Sequence, residues 1–93
     1  MSEVLKILKE HKKDLFNKYP IQSLAVFGSF SRGDFKENSD VDVLVEFTHP
    51  VGIEFIRLSH DLEDILNKEV DLVSKPAIKS KYLKYIEPDL LYV

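Results

Sequence analysis

The stretch that decides the fold is residues 23–47, which read SLAVFGSFSRGDFKENSDVDVLVEF. Its first five residues form a short apolar run of the kind found in strands, and Gly28-Ser29 ends that run. Residues 32–39 are polar and rich in turn formers. Residues 41–47 alternate between valines and other side chains, which is typical of a second strand. The stretch therefore predicts two strands joined by a polar loop that begins at a glycine.

Hydrophobic spacing predicts the other elements. A 4-3-4-4 spacing of Val4, Leu8, His11, Leu15 and Tyr19 indicates a helix. The full set is a helix over 2–19, strands over 23–27 and 41–47, a helix over 53–67, a strand over 70–73 and a helix from about 74 to 88. The apolar tail, residues 89–93, is expected to pack against the domain or a partner. This α-β-β-α-β-α order predicts an α/β (α+β) fold, a small mixed sheet with helices packed against it.

Length and composition limit the protein classes. The chain has 93 residues, no cysteine and a formal net charge of −3, with 44% hydrophobic and 31% charged residues. These values predict one domain over 1–93, in the cytoplasm, and exclude disulfides and thiolate metal sites. No secretory signal or membrane span is visible. The negative charge argues against direct nucleic-acid binding, which depends on neutralising phosphates.

Three acidic residues interrupt the apolar strands. Asp40 and Asp42 are two apart, so a strand places both carboxylates on one face. Asp71 interrupts the third strand in the same way, and the three converge if the two strands are neighbours. Like charges this close repel one another unless a cation lies between them. Grouped carboxylate oxygens suit Mg²⁺.

A second feature precedes the carboxylates. Gly28 allows the backbone to approach a ligand closely, and the Ser29 hydroxyl can bond a phosphate oxygen. Arg32 could add a bidentate phosphate contact, although a surface ion pair is an equal alternative for it. A phosphate cradle beside metal-binding carboxylates is the arrangement that two-metal phosphoryl or nucleotidyl transfer needs.

The combined pattern resembles a known family. Gly28-Ser29, ten residues and then Asp40-Val41-Asp42 match the G-S-x10-D-x-D pattern of the DNA polymerase β-like nucleotidyltransferases. Together with Val70-Asp71-Leu72-Val73, the chain resembles the minimal nucleotidyltransferase (MNT) branch over essentially its whole length. No motif position departs from the pattern.

The resemblance implies roles for these residues. Asp40 and Asp42 would hold two Mg²⁺ ions, and Asp71 would complete the site of one of them. Gly28, Ser29 and Arg32 would bind the triphosphate of ATP. The family fold is a polymerase β palm-like nucleotidyltransferase domain.

The resemblance also implies a partner. MNT proteins are antitoxins of two-gene systems, in which AMP passes from ATP to a tyrosine of a HEPN-type toxin. The small size of the chain supports an acceptor supplied by another chain, and the apolar tail is compatible with a homo-oligomer or a complex. Two other functions remain open: a non-catalytic antitoxin that only covers its partner, and nucleotidyl transfer to a small molecule or an RNA end.

Other polar and aromatic residues are interpreted as structural. His11, His49 and His60 have no partner at metal-ligand spacing, and a half-buried ring is expected for the first. Lysines 75, 79, 81 and 84 are expected to form a solvated face. Tyrosines 82, 85 and 92 are expected to pack in the core or at a sheet edge rather than to form a stacking platform.

Overall fold

A computed structural model describes residues 2–28, 31 and 40–93. Its helices are α1 (Ser2–Glu10), α2 (Lys12–Lys18), α3 (Ile53–Leu66) and α4 (Ser80–Ile86). Its strands are β1 (Ile21–Phe27), β2 (Val41–Phe47), β3 (Val70–Ser74) and β4 (Leu91–Tyr92). Two 3₁₀ turns flank α4, at Lys75–Ala77 and Glu87–Asp89.

The strands form one mixed sheet in the order β3-β2-β1-β4. β1 pairs antiparallel with β2 and β4, whereas β2 and β3 are parallel and are connected through α3. A parallel pair needs such a crossover connection. The predicted α/β class and mixed sheet are confirmed.

The first helix is shorter than predicted because the segment 2–19 divides at His11. This residue has φ −99° and ψ 3°, and its N–H points to the carbonyl oxygens of both Ile7 and Leu8 at 3.2 Å. Its ring Nδ1 lies 2.9 Å from the Ile7 carbonyl oxygen, and the ring is half-buried as expected. The predicted apolar stripe is otherwise confirmed, since Val4, Leu8, Leu15 and Tyr19 are all buried.

The third predicted helix is also divided. Lys75–Ala77 is a 3₁₀ turn that contains Pro76, and Ile78 and Lys79 are extended before α4 begins at Ser80. Ile78 packs in this extended form against the core instead of occupying a helical face. The i, i+4, i+8 spacing of Ile78, Tyr82 and Ile86, from which one continuous helix was predicted, was therefore misleading.

The C-terminal tail packs against the sheet, as expected, but it does so as a strand. Leu91 and Tyr92 pair with Val26 and Ala25 of β1, and the Val93 N–H donates to the Leu24 carbonyl oxygen at 2.9 Å. A two-residue strand has too little periodicity to be recognised from sequence. The predicted element order lacked this final strand.

The sheet has a different apolar cluster on each face. The larger cluster joins Val41, Val43 and Val45 of β2 to α1, α2 and α3. The smaller cluster joins Leu44 on the opposite face to Phe27 and Ile86, so α4 covers that side. No helix within residues 2–28 and 40–93 is long and apolar enough to cross a membrane.

A polar contact fastens α2 to α3. Lys18 Nζ lies 2.7 Å from Asp61 Oδ2, and the buried Tyr19 donates its hydroxyl proton to the same oxygen. These hydrogen bonds, from Lys18 first and Tyr19 second, hold the pKa of the Asp61 carboxyl below its usual range. The contact therefore stabilises the fold when this carboxyl is ionised.

Replacing Asp61 by Asn should lower the free energy of unfolding at neutral pH by about 1 kcal/mol, because the pair is partly exposed. Because folding lowers the Asp61 pKa, its contribution is complete above the unfolded-state pKa of about 3.9. It should be lost as the pH falls further, through the lower folded-state pKa. Urea unfolding from neutral pH to about pH 3 measures this loss. The variant Asp14→Asn is the control. If the difference in free energy of unfolding between Asp61→Asn and wild type stays constant over this pH range, the assignment is contradicted.

Candidate active site

The three predicted carboxylates lie at one end of the parallel strand pair. Asp40 directly precedes β2, and Asp42 and Asp71 are each the second residue of their strand. The register makes Asp42 and Asp71 direct Cα partners. Neighbouring strands are about 4.8 Å apart and paired side chains point to the same face. The sheet therefore brings Asp42 and Asp71 side by side, as the sequence predicted for neighbouring strands.

The face on which these carboxylates lie follows from the burial of their neighbours. Val41 and Val43 enter the larger cluster, so Asp42 between them points to the face covered by α4. Leu72 enters the same larger cluster, which places Asp71 on the α4 face as well. Asp40 lies just outside β2, directly before Val41.

The acidic groups are accessible from solvent. Asp40 and Asp71 are exposed and Asp42 is half-buried. Within the described ranges, no three His, Cys, Asp or Glu side chains already form a metal-holding group. Mg²⁺ commonly uses one or two carboxylates and completes its shell with water and substrate phosphates. The adjacent Asp42 and Asp71 fit that requirement, and Asp40 directly precedes the strand that carries Asp42.

Gly28 completes the described site. It has φ +74°, and a Cβ built on it would lie 2.3 Å from Asp42 Oδ2. Phe27, the preceding residue, is the cross-strand partner of Asp42. A side chain at residue 28 would therefore displace the carboxylate and strain the backbone. The turn at the end of β1 is therefore in direct contact with Asp42.

Comparison with known proteins identifies this arrangement. A family model described as a nucleotidyltransferase domain matches residues 2–91. The chain belongs to this nucleotidyltransferase family.

Relatives and solved structures agree with the assignment. The protein adenylyltransferase MntA of Thermococcus cleftensis is 42% identical over 94 residues, which cover 100% of this chain and 95% of the relative. A solved structure of a candidate minimal nucleotidyltransferase superposes with a TM-score of 0.77 at 26% identity, covering 94% of this chain and 93% of that one. The predicted resemblance to minimal nucleotidyltransferases, and with it the enzyme class, is confirmed.

A third similarity concerns the fold alone, because identity is only 21%. The matched structure contains a tri-AMPylated HEPN toxin of Shewanella oneidensis in complex with an MNT antitoxin. The TM-score is 0.71, with 96% of this nucleotidyltransferase and 70% of that chain covered.

Two of the predicted nucleotide-binding residues, Ser29 and Arg32, lie outside the described residues. Ser31 is described, and its Oγ donates a hydrogen bond to the Asp89 carbonyl oxygen. Ser31, three residues after Gly28 in this nucleotidyltransferase, is therefore attached to the 3₁₀ turn that follows α4. Sequence reasoning missed this link, because no local pattern joins residues that are 58 positions apart.

The tyrosines depart from expectation. Tyr82, Tyr85 and Tyr92 are 54%, 77% and 53% exposed, although core or edge packing was expected. Tyr92 does lie in the edge strand β4. The prediction was wrong for Tyr82 and Tyr85, because α4 is too short to bury more than the stripe that contains Leu83 and Ile86.

Replacing Gly28 by Ala should weaken the binding of Mg²⁺ with a non-hydrolysable ATP analogue about tenfold or more. The new methyl group would lie only 2.3 Å from Asp42 Oδ2, and the positive φ adds roughly 1 kcal/mol of strain. Isothermal titration calorimetry measures the affinity. Gly52→Ala is the matched control, since a Cβ at Gly52 meets nothing within 4 Å. Equal affinities for the two variants would contradict this account of Gly28.

Proposed function

We propose that this nucleotidyltransferase transfers AMP from ATP to a tyrosine hydroxyl of a HEPN-type toxin and thereby acts as its antitoxin. The observation that carries the proposal is the pairing of Asp42 with Asp71 beside Gly28. The homology to a protein adenylyltransferase supports the chemistry. The fold shared with an antitoxin bound to an AMPylated toxin supports the kind of partner.

The carboxylates concentrate negative charge where a polyphosphate must approach. Asp40, Asp42 and Asp71 would hold two Mg²⁺ ions, which when bound would offset this charge and that of the phosphates. Asp42 is held by its strand and by contact with Gly28, so its position is set before a ligand arrives. Preorganised charge of this kind supplies much of the acceleration in enzymes.

The segment from Gly28 to Arg32 would orient the nucleotide. Gly28 leaves room for close approach of the triphosphate, the Ser29 hydroxyl would donate to a phosphate oxygen, and Arg32 would assist. The acceptor oxygen would then attack the α-phosphorus in line, forming one O–P bond while the bond to pyrophosphate breaks. The hydroxyl proton can leave to water, because Asp40 and Asp71 at this edge are exposed.

The test is adenylylation of a purified HEPN-type toxin, and the gene adjacent to that of this chain is the first place to look for it. With ATP and Mg²⁺, the wild type should add an AMP-sized mass to that protein. Asp42→Asn should lower the rate about a hundredfold or more, since several kcal/mol of charge stabilisation is lost. Intact-protein mass spectrometry measures the gain, and Asp14→Asn on α2 is the control.

Each alternative function has its own outcome in this assay. If Asp42→Asn neutralises the toxin as well as wild type and no mass is gained, the chain is a non-catalytic binding antitoxin. If the isolated chain transfers AMP to a small hydroxyl compound or an RNA end and leaves the toxin unmodified, the proposed toxin acceptor is wrong. Chelation of Mg²⁺ with EDTA should abolish the mass gain, and activity that persists would overturn the metal requirement.

A further inference from the structure

Helix α4 carries an exposed surface that combines aromatic and basic groups. The Tyr82 and Tyr85 rings are nearly parallel, at 20°, with centroids 6.3 Å apart. Both are more than half exposed, and Lys79, Lys81 and Lys84 beside them are also exposed. We call these five residues the tyrosine–lysine surface. Large side chains left in water next to one another mark interaction sites more often than scattered single ones do.

The fold makes little use of this surface. α4 is attached to the sheet through Ile86, which is buried, and through Leu83, which packs against the same cluster. Within the part of the chain that the structure describes, the three lysines make no ion pair with an acidic side chain. Their charges are thus available to a partner.

The tyrosine–lysine surface lies next to the active site. Ile86, one residue after Tyr85, packs on Phe27, which directly precedes Gly28. The 3₁₀ turn after α4 accepts the hydrogen bond from Ser31, three residues after Gly28. Asp42 and Asp71 lie on the sheet face that α4 covers. A protein seated on α4 would therefore lie beside the carboxylates.

We propose that the tyrosine–lysine surface docks an acidic patch of the acceptor protein and so presents the acceptor hydroxyl to the site. This inference rests on the proposed function. Charge complementarity supports it, since three exposed lysines lie within six residues of a chain whose net charge is −3. Tyrosine is enriched at the energetic centres of interfaces, where it supplies a large contact area at low entropic cost.

RNA is the less favoured occupant. Affinity for nucleic acid grows with the number of phosphates that basic groups neutralise, and three lysines neutralise few. The net negative charge of the chain also opposes a polyanion. An acidic protein patch needs only a few complementary charges around the two rings.

Two double variants test the docking surface. Lys81→Glu with Lys84→Glu reverses the charge, and Tyr82→Ser with Tyr85→Ser removes the rings, all at exposed positions. The charge-matched control is Lys9→Glu with Lys13→Glu, on the helices that pack on the other sheet face. The probe is the same HEPN-type toxin that is used in the adenylylation assay, and circular dichroism verifies folding.

We expect both docking variants to raise the Kd for that protein, and the KM for it in AMP transfer, about tenfold or more. The kcat at saturating partner should change little, and added salt should weaken the wild type more than the lysine variant. Kd and KM values equal to those of the control would overturn the docking surface. Loss of affinity for an RNA oligonucleotide, with partner binding intact, would also overturn it.

The two proposals fail in different ways. If wild type binds the partner through this surface but adds no AMP, the proposed function fails and the docking surface stands. If wild type adds AMP and the variants do so with an unchanged KM, only the docking surface fails. If wild type does not bind the partner at all, both fail.

Discussion

The parallel pairing of β2 with β3 is the constraint on which the site depends. It makes Asp42 and Asp71 direct neighbours, although 28 residues of chain separate them. The pairing is specified by burial, because Val41, Val43 and Val45 are fully buried in the larger cluster. A slip of one residue would turn these valines to the other face and bury the carboxylates in their place. The free energy of apolar burial thus holds two like charges side by side.

The two faces of the sheet differ in how much apolar surface they bury and in which polar residues they carry. One face, with α1, α2 and α3, carries most of the buried apolar side chains and stabilises the register. The other face carries the small cluster around Phe27, Leu44 and Ile86 and, at its end, the acidic residues. Because the apolar cluster on this second face is small, most of α4 remains exposed to solvent. This division explains how 93 residues accommodate both the acidic residues and the exposed side chains of α4.

Much of this arrangement could be predicted from sequence, because it depends on short periodic patterns. The bounds of β2 are those that the alternation of its residues predicted. Convergence of Asp42 with Asp71 followed from assuming neighbouring strands, which the structure confirms. The division at His11 could not be predicted, since the apolar spacing continues through it. The pairing of β4 with β1 and the bond from Ser31 to Asp89 depend on contacts between distant parts of the chain, which no local pattern encodes.

The central proposal is that Asp40, Asp42 and Asp71 together hold the divalent cations beside Gly28 when a nucleotide is bound. Paramagnetic broadening of amide NMR signals by Mn²⁺ with a non-hydrolysable ATP analogue tests it most directly. The account predicts the strongest broadening at residues 28, 40–42 and 71, and its loss in the Asp42→Asn variant. Strongest broadening elsewhere, for example around Asp61, or broadening unchanged in that variant, would contradict it.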